Sequence, residues 1–231
     1  MAILLTSIVG FYTYRQFVPP KIIAPTHVSQ IVFTTDLREI AAVTPYIFIA
    51  YIEETYDVNA TKFYRQHPES ILEFVREDYG FTECTVKVIQ NIKGELQMDA
   101  PVTLYHVAGY SKDLLMIRMY DGDFLPEKGK YYLYMANTYE DGTLVAGGTN
   151  SYSKLLEEGI ARDNLNESKI YQEYVEAYNS RYIGTKELRE RFENNPKYVS
   201  VYDKKYNGER GQLQPRENLA SVPSSEKKSK K

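Results

Sequence analysis

Hydrophobic and polar positions change rhythm along the chain, and each change predicts an element. Residues 2–14, AILLTSIVGFYTY, carry no charge and are mostly apolar, before Arg15, Pro19, Pro20 and Lys21 end the run. Residues 46–52, YIFIAYI, are apolar at successive positions, the pattern of a strand buried on both faces. Over 61–79, Ile71, Leu72 and Val75 recur at helical spacing behind Pro68, and Gly80 is placed to end that helix. From Cys84 the period becomes two. TVKVIQNI (85–92) alternates and stops at Lys93-Gly94, VTLYHV (102–107) follows Pro101, and YYLYMA (131–136) follows Lys128-Gly129. Asp141-Gly142 reads as a two-residue type I′ hairpin turn joining YYLYMA to TLVA (143–146). Five short strands with one inserted helix predict a small antiparallel barrel.

The last third reads as helical. Asn166 is placed to cap a helix carrying Ile170, Tyr171, Tyr174, Val175 and Tyr178, Thr185 a short segment 186–194, and YVSVY (198–202) an edge strand.

The strand segments together resemble the OB-fold barrel of netrin modules and tissue inhibitors of metalloproteinases, as found in exported bacterial proteins. The residues that carry the likeness are PYIFIAYIEE (45–54), VKVIQNIKG (86–94), VTLYHVAG (102–109), LPEKGKYYLYMA (125–136) and DGTLVAGG (141–148). The resemblance implies a five-stranded barrel and an extracellular setting. Animal inhibitors of this kind chelate the protease zinc through an N-terminal cysteine and are stapled by disulfides. Here Cys84 is the single cysteine and internal, so neither feature carries over. The chain then divides into a membrane anchor or signal segment (1–20), a linker and lead-in (21–44), the barrel (45–155), a helical extension (156–203) and a disordered basic tail (204–231). The expected fold class is mainly β: a five-stranded OB-like antiparallel barrel with C-terminal helices.

Charge narrows the partners. Of the net charge of −3 across 231 residues, 204–231 contribute +5 and the rest of the chain −8. An acidic body is a poor match for a phosphate polyanion, so no nucleic-acid partner is expected. The expected partner is a protein or a cell-envelope polymer on the outer face of the membrane.

Catalytic signatures are few. There is no P-loop, dinucleotide fingerprint, HExxH or paired CxxC, and no cofactor is expected. His106, on the strand face opposite Tyr105, is the one candidate base or ligand, read first as a strand histidine touching solvent. A hydrolase using His106 with nearby carboxylates is the alternative function. Cys84 reads as a half-buried thiol, since the adjacent Glu83 raises its pKa rather than lowering it. Asp121, Asp123 and Glu127 supply three carboxylates in one loop, but without the twelve-residue calcium-loop pattern, and a backbone turn is the preferred reading. The 22 tyrosines and nine phenylalanines, without tryptophan, are the compositional anomaly. Tyrosine suits contact with peptide or carbohydrate, which makes Tyr105, His106, Tyr110, Tyr132 and Tyr134 the candidate binding residues. Leu133 and Met135 should share one face of their strand, opposite Tyr132 and Tyr134.

Residues 2–14 are shorter than the roughly 20 residues that cross a bilayer unaided, and Phe17 and Val18 complete a span only if Arg15 snorkels. The full-length chain, expressed in bacteria, should therefore pellet with membranes and be cleaved by protease added to intact protoplasts. Recovery in the soluble cytosolic fraction would overturn that location.

Overall fold

The computed structural model describes residues 23–26, 35–59, 80–110, 116–120, 122–147, 152–184, 186, 189–190, 193, 197–209 and 211–213. The apolar segment 2–14, the expected helix over 61–79, Asp121 and the chain beyond Leu213 lie outside the described residues. Among the described residues, no helix is long and apolar enough to cross a membrane.

The elements in chain order are β1 (Ile23–Thr26), α1 (Leu37–Val43), β2 (Tyr46–Asn59), β3 (Gly80–Lys93), β4 (Pro101–Val107), β5 (Gly109–Tyr110), β6 (Ile117–Tyr120), β7 (Tyr131–Thr138), β8 (Leu144–Gly147), β9 (Lys154–Leu155), a 3₁₀ turn (Arg162–Glu167) and α2 (Lys169–Asn179). The stretch expected to be a linker before residue 45 thus contains a strand and a helix.

Strands β2, β3, β4, β8 and β7 form a sheet in that order, and β7 pairs back onto β2 to close a five-stranded barrel. Its strand order is that of an OB-type barrel. The expectation of an all-antiparallel barrel is corrected at one seam. β4 and β8 run parallel, Leu104 opposite Leu144 through Val107 opposite Gly147. From β4 the chain leaves the barrel through β5 and β6, returns along β7 beside β2, and turns at the β7–β8 hairpin so that β8 lies beside β4 in the same direction. A second small sheet, β1–β6–β5, lies outside the barrel sheet, with β1 parallel to β6.

β2 explains why its sequence is apolar on both faces. Tyr46, Phe48, Ala50 and Ile52 point into the barrel with Cys84, Val86, Val88, Leu104, Tyr132, Tyr134 and Ala146. Ile47 and Ile49 point outward with Leu133 and Met135, under Ile40, Ala41, Leu156, Leu165 and Tyr174. Leu133 and Met135 do share a face opposite Tyr132 and Tyr134, but both faces are buried. Tyr132 and Tyr134, expected on a binding surface, are 1% and 0% exposed and belong to the barrel core. A tyrosine every second residue here fills the interior, because helices already cover the other face.

Helix α1 is fastened at both ends. Asp36 caps its first turn by accepting the Arg38 amide. At the other end the buried ammonium of Lys93 donates to the carbonyls of Ala41 and Ala42 at 3.1 and 2.9 Å. A cation on the last carbonyls matches the negative end of the helix, and a lysine buried without such partners would be costly. The cap of α2 is Ser168 rather than Asn166, its hydroxyl accepting the Tyr171 amide while donating to Glu157.

The β7–β8 hairpin is wider than a two-residue turn. Asp141 does not adopt positive φ; only Gly142 does, at 85°. The Gly142 amide donates to Tyr139, the Tyr139 amide to Thr143, and the Asp141 carboxylate accepts the Thr143 amide. This is the three-residue connection in which a tight turn is followed by a left-handed glycine. A side chain there would also run into Val201, whose amide donates to the Gly142 carbonyl.

That last contact belongs to a strap, residues 198–209 and 211–213. The Ser200 amide donates to the buried Tyr46 hydroxyl, the Gln97 amide to Tyr202, and the Lys204 amide to Glu95. The Asp203 carboxylate accepts the Glu95 amide, and the Gly211 amide donates to Glu140. The strap makes isolated bridges, Leu96 with Asp203 and Tyr198 with Leu213, in place of the expected edge strand. Residues 204–209 and 211–213, expected in a disordered tail, are held on the barrel because backbone groups supply partners where apolar side chains are scarce. Truncation after Lys197 should accordingly cost several kcal/mol. At roughly 2–4 °C per kcal/mol for a chain of this size, the melting temperature should fall by about 5–10 °C relative to truncation after Leu213. Equal melting curves for the two truncations would show that the strap contributes nothing.

Candidate functional site

Alternation along β4 sends Leu104 and His106 inward and Tyr105 and Val107 outward. At His106 the neighbours across the ladders are Thr82 on β3 and Ala146 on β8. The imidazole is 0% exposed, which corrects the reading of a strand histidine in contact with solvent. Its partner comes from the segment after β6. Gly122, with φ of 76°, turns the chain so that the Asp123 amide donates to Tyr120, and the Asp123 carboxylate reaches inward.

His106 Nε2 and Asp123 Oδ1 lie 3.0 Å apart, with both side chains fully buried. The same oxygen accepts the Phe124 amide at 3.0 Å. A carboxylate only accepts, so the imidazole proton is assigned to Nε2, and Nδ1 has no hydrogen-bond partner among the described residues. Space around the pair is tight. A Cβ on Gly147 (φ 86°) would stand 3.0 Å from Asp123 Oδ2 and 3.1 Å from the His106 ring.

Phe124 completes the site. Its ring stacks on His106 at 4.6 Å between centroids and 26° between planes, and on Tyr132 at 4.6 Å and 19°. Tyr134 closes the cluster edge-on to His106 at 6.1 Å. The Tyr132 hydroxyl accepts the Glu127 amide at 3.0 Å, so the segment 122–127 is tied to the barrel on both sides of the phenyl ring. The Tyr134 hydroxyl is buried with no partner among the described residues.

Burial sets the protonation states. It pushes Tyr132 up to about 12, and raises Tyr134 well above the ordinary phenol range. It also raises the Cys84 thiol, with the Glu83 charge adding to the effect, and the thiol donates weakly to the Thr82 carbonyl. A thiol held neutral is not a nucleophile. His106 and Asp123 together resemble half of a catalytic triad, but the remaining nitrogen, Nδ1, is buried and has no hydrogen-bond partner among the described residues, so no nucleophile is paired with it.

The other candidates are dispersed. Tyr105 faces outward in a small cluster with Phe81, Val107 and Val145, almost fully covered, and burial followed by the Glu83 charge raises its pKa. Tyr110 is half-buried on β5, away from Tyr132 and Tyr134, and burial raises it as well. Of the loop carboxylates, Asp123 is bound to His106 and Glu127 pairs with Lys130 at 2.8 Å. No group of three metal-ligating side chains occurs among the described residues. Phe124 and Gly147 were not singled out in the sequence. The signal available for Phe124 was a Phe124-Leu125 pair standing in a turn between Gly122 and Gly129.

The raised tyrosines have a consequence with a definite sign. A phenol whose folded pKa lies above its unfolded value of 10.0 favours the folded state below that pH. The benefit is lost as pH rises from about 10 towards 12. Alkaline titration should therefore show tyrosinate absorbance from the buried residues appearing in one cooperative step, coincident with loss of circular dichroism. Gradual ionisation of every tyrosine ahead of unfolding would contradict the burial. No family model matches the sequence, and no match to it is found among curated proteins.

Proposed function

We propose that the protein is an interaction module without catalytic activity, held at the outer face of a membrane by its N-terminal apolar segment. Its partner is a protein or polymer of the bacterial cell envelope. The likeness to netrin modules is part of this proposal, as is the extracytoplasmic setting.

The observation that carries the non-catalytic part is the state of His106 and Asp123. A general base needs a free nitrogen within reach of a substrate proton. Here Nε2 is committed to Asp123, and the unpartnered Nδ1 is buried away from any substrate, with Phe124 flat on the ring and Gly147 packed close beside it. The pair fastens a loop. The hydrolase alternative draws on the same 3.0 Å contact, which is the one feature in its favour.

The surface offered for binding is the outer face of β2, β3 and β4. Directly opposed residues form the row Glu54–Thr85–Thr103 across the three strands, with Tyr56 opposite Glu83 beside it, while Tyr105 next to Glu83 is covered and contributes no ring to the face. Tyr56 is 54% exposed, and Lys87 beside this row pairs with Glu53 at 2.6 Å. A ring, hydroxyls and paired charges on one flat face suit a polar partner, and OB-type barrels use their second and third strands in this way.

Wild type and His106→Gln should release p-nitrophenol from p-nitrophenyl acetate at the same slow rate. Hydrolysis that depends on His106 would replace this reading with the hydrolase.

A further inference from the structure

We infer that the end of the barrel is a closed slot for one planar ring, that Phe124 is its built-in occupant, and that the segment 122–129 is a hinged lid which yields the slot to a small uncharged aromatic or heteroaromatic ligand. The slot is distinct from the outer sheet face, so either proposal can fail without the other.

The walls and the occupant have different origins. His106 and Tyr132 are fixed on β4 and β7, inside a closed sheet. Phe124 sits on a stretch with neither helix nor strand between Gly122 and Lys130. Its ring lies within 26° of one wall and 19° of the other, at 4.6 Å from each. Withdrawing it leaves two faces spaced for one flat ring, and a saturated ring would be too thick to stack on both.

The lid has hinges. Gly122 and Gly129 bound it, both at positive φ, 76° and 85°. Nothing lies within 4 Å of a Cβ at Gly122, and at Gly129 only the Tyr51 hydroxyl comes within that distance. Neither glycine is there to admit a tight neighbour, unlike Gly142 and Gly147; Gly122 is an open pivot with a wide backbone range, while the Gly129 amide donates to the Ile52 carbonyl and anchors the far end of the segment on β2. The lid is fastened through the walls themselves, by Asp123 on His106 and by the Glu127 amide on the Tyr132 hydroxyl. Opening would carry the Asp123 carboxylate away with the lid and leave neutral rings behind.

A second observation points to a ligand. The Tyr134 hydroxyl is buried in the same ring cluster, its ring 6.2 Å from Phe124, with no partner among the described residues. An unmet hydroxyl in a core is costly, and a phenyl ring can offer it nothing. A ligand ring carrying a carbonyl or ring nitrogen would.

The test uses the full chain and benzamide, with cyclohexanecarboxamide as the non-planar control, followed by NMR of isotope-labelled tyrosine. Benzamide should shift Tyr132 and Tyr134 of the wild type saturably and speed amide exchange across 122–129. Phe124→Leu, which keeps apolar volume but cannot stack, should bind it about tenfold more tightly, because the closed state no longer competes. Tyr134→Phe should weaken it by about threefold or more, and the saturated control should bind at least about tenfold more weakly. The inference is overturned if benzamide saturates Phe124→Leu but leaves the wild type unchanged at the same concentration, since Phe124 is then ordinary core. Equal binding of benzamide and cyclohexanecarboxamide overturns it too, by showing a featureless cavity.

Discussion

Pairing of β7 with β2, Tyr46 opposite Ala136 through Tyr51 opposite Tyr131, is the constraint on which the rest depends. Without it the sheet has two long apolar edges. With it, the strands have an inside and an outside, and every side chain on them is assigned to one or the other. β2 must then be apolar throughout, because its inner residues fill the barrel while its outer ones meet α1 and α2. Closure also removes the exposed edges that would otherwise invite aggregation.

Several polar residues exist to make that closure tolerable. Lys93 ends the strand that pairs along the length of β2 and satisfies the carbonyls of α1, joining the barrel to its covering helix. Tyr46 is buried at the same rim, next to Ile47, which lies opposite Lys93, and its hydroxyl receives the strap at Ser200. Glu39, buried on α1, accepts the Gly184 amide at 2.6 Å and so ties the chain after α2 to the first helix. Each is a buried polar group with a partner, the condition under which burial is affordable.

The barrel mouth is arranged differently. There the polar atoms are incompletely satisfied, with His106 Nδ1 and the Tyr134 hydroxyl both lacking partners among the described residues, and the closing element is a loop. Sites where local rules are broken while the surroundings obey them are where function is to be sought. Cys84, nearby in the same interior, is held neutral by burial and by the Glu83 charge.

The sequence by itself determined the strands and their alternation. TVKVIQNI, VTLYHV and YYLYMA could not hide a period of two, Lys93-Gly94 and Asp141-Gly142 marked their ends, and His106 was legible as lying on the face opposite Tyr105, though not as the inward one. It also set five strands in a barrel. What it did not determine is which face of a doubly apolar strand is the interior, since Tyr132 and Leu133 are equally apolar to a pattern and only the position of α1 and α2 tells them apart. Nor did it determine that β8 runs parallel to β4, that residues 198–209 and 211–213 form a strap through backbone hydrogen bonds, or that Asp123, seventeen positions from His106, arrives beside it. Those are contacts between segments distant along the chain. Their energies depend on three-dimensional closure, and no local spacing carries that.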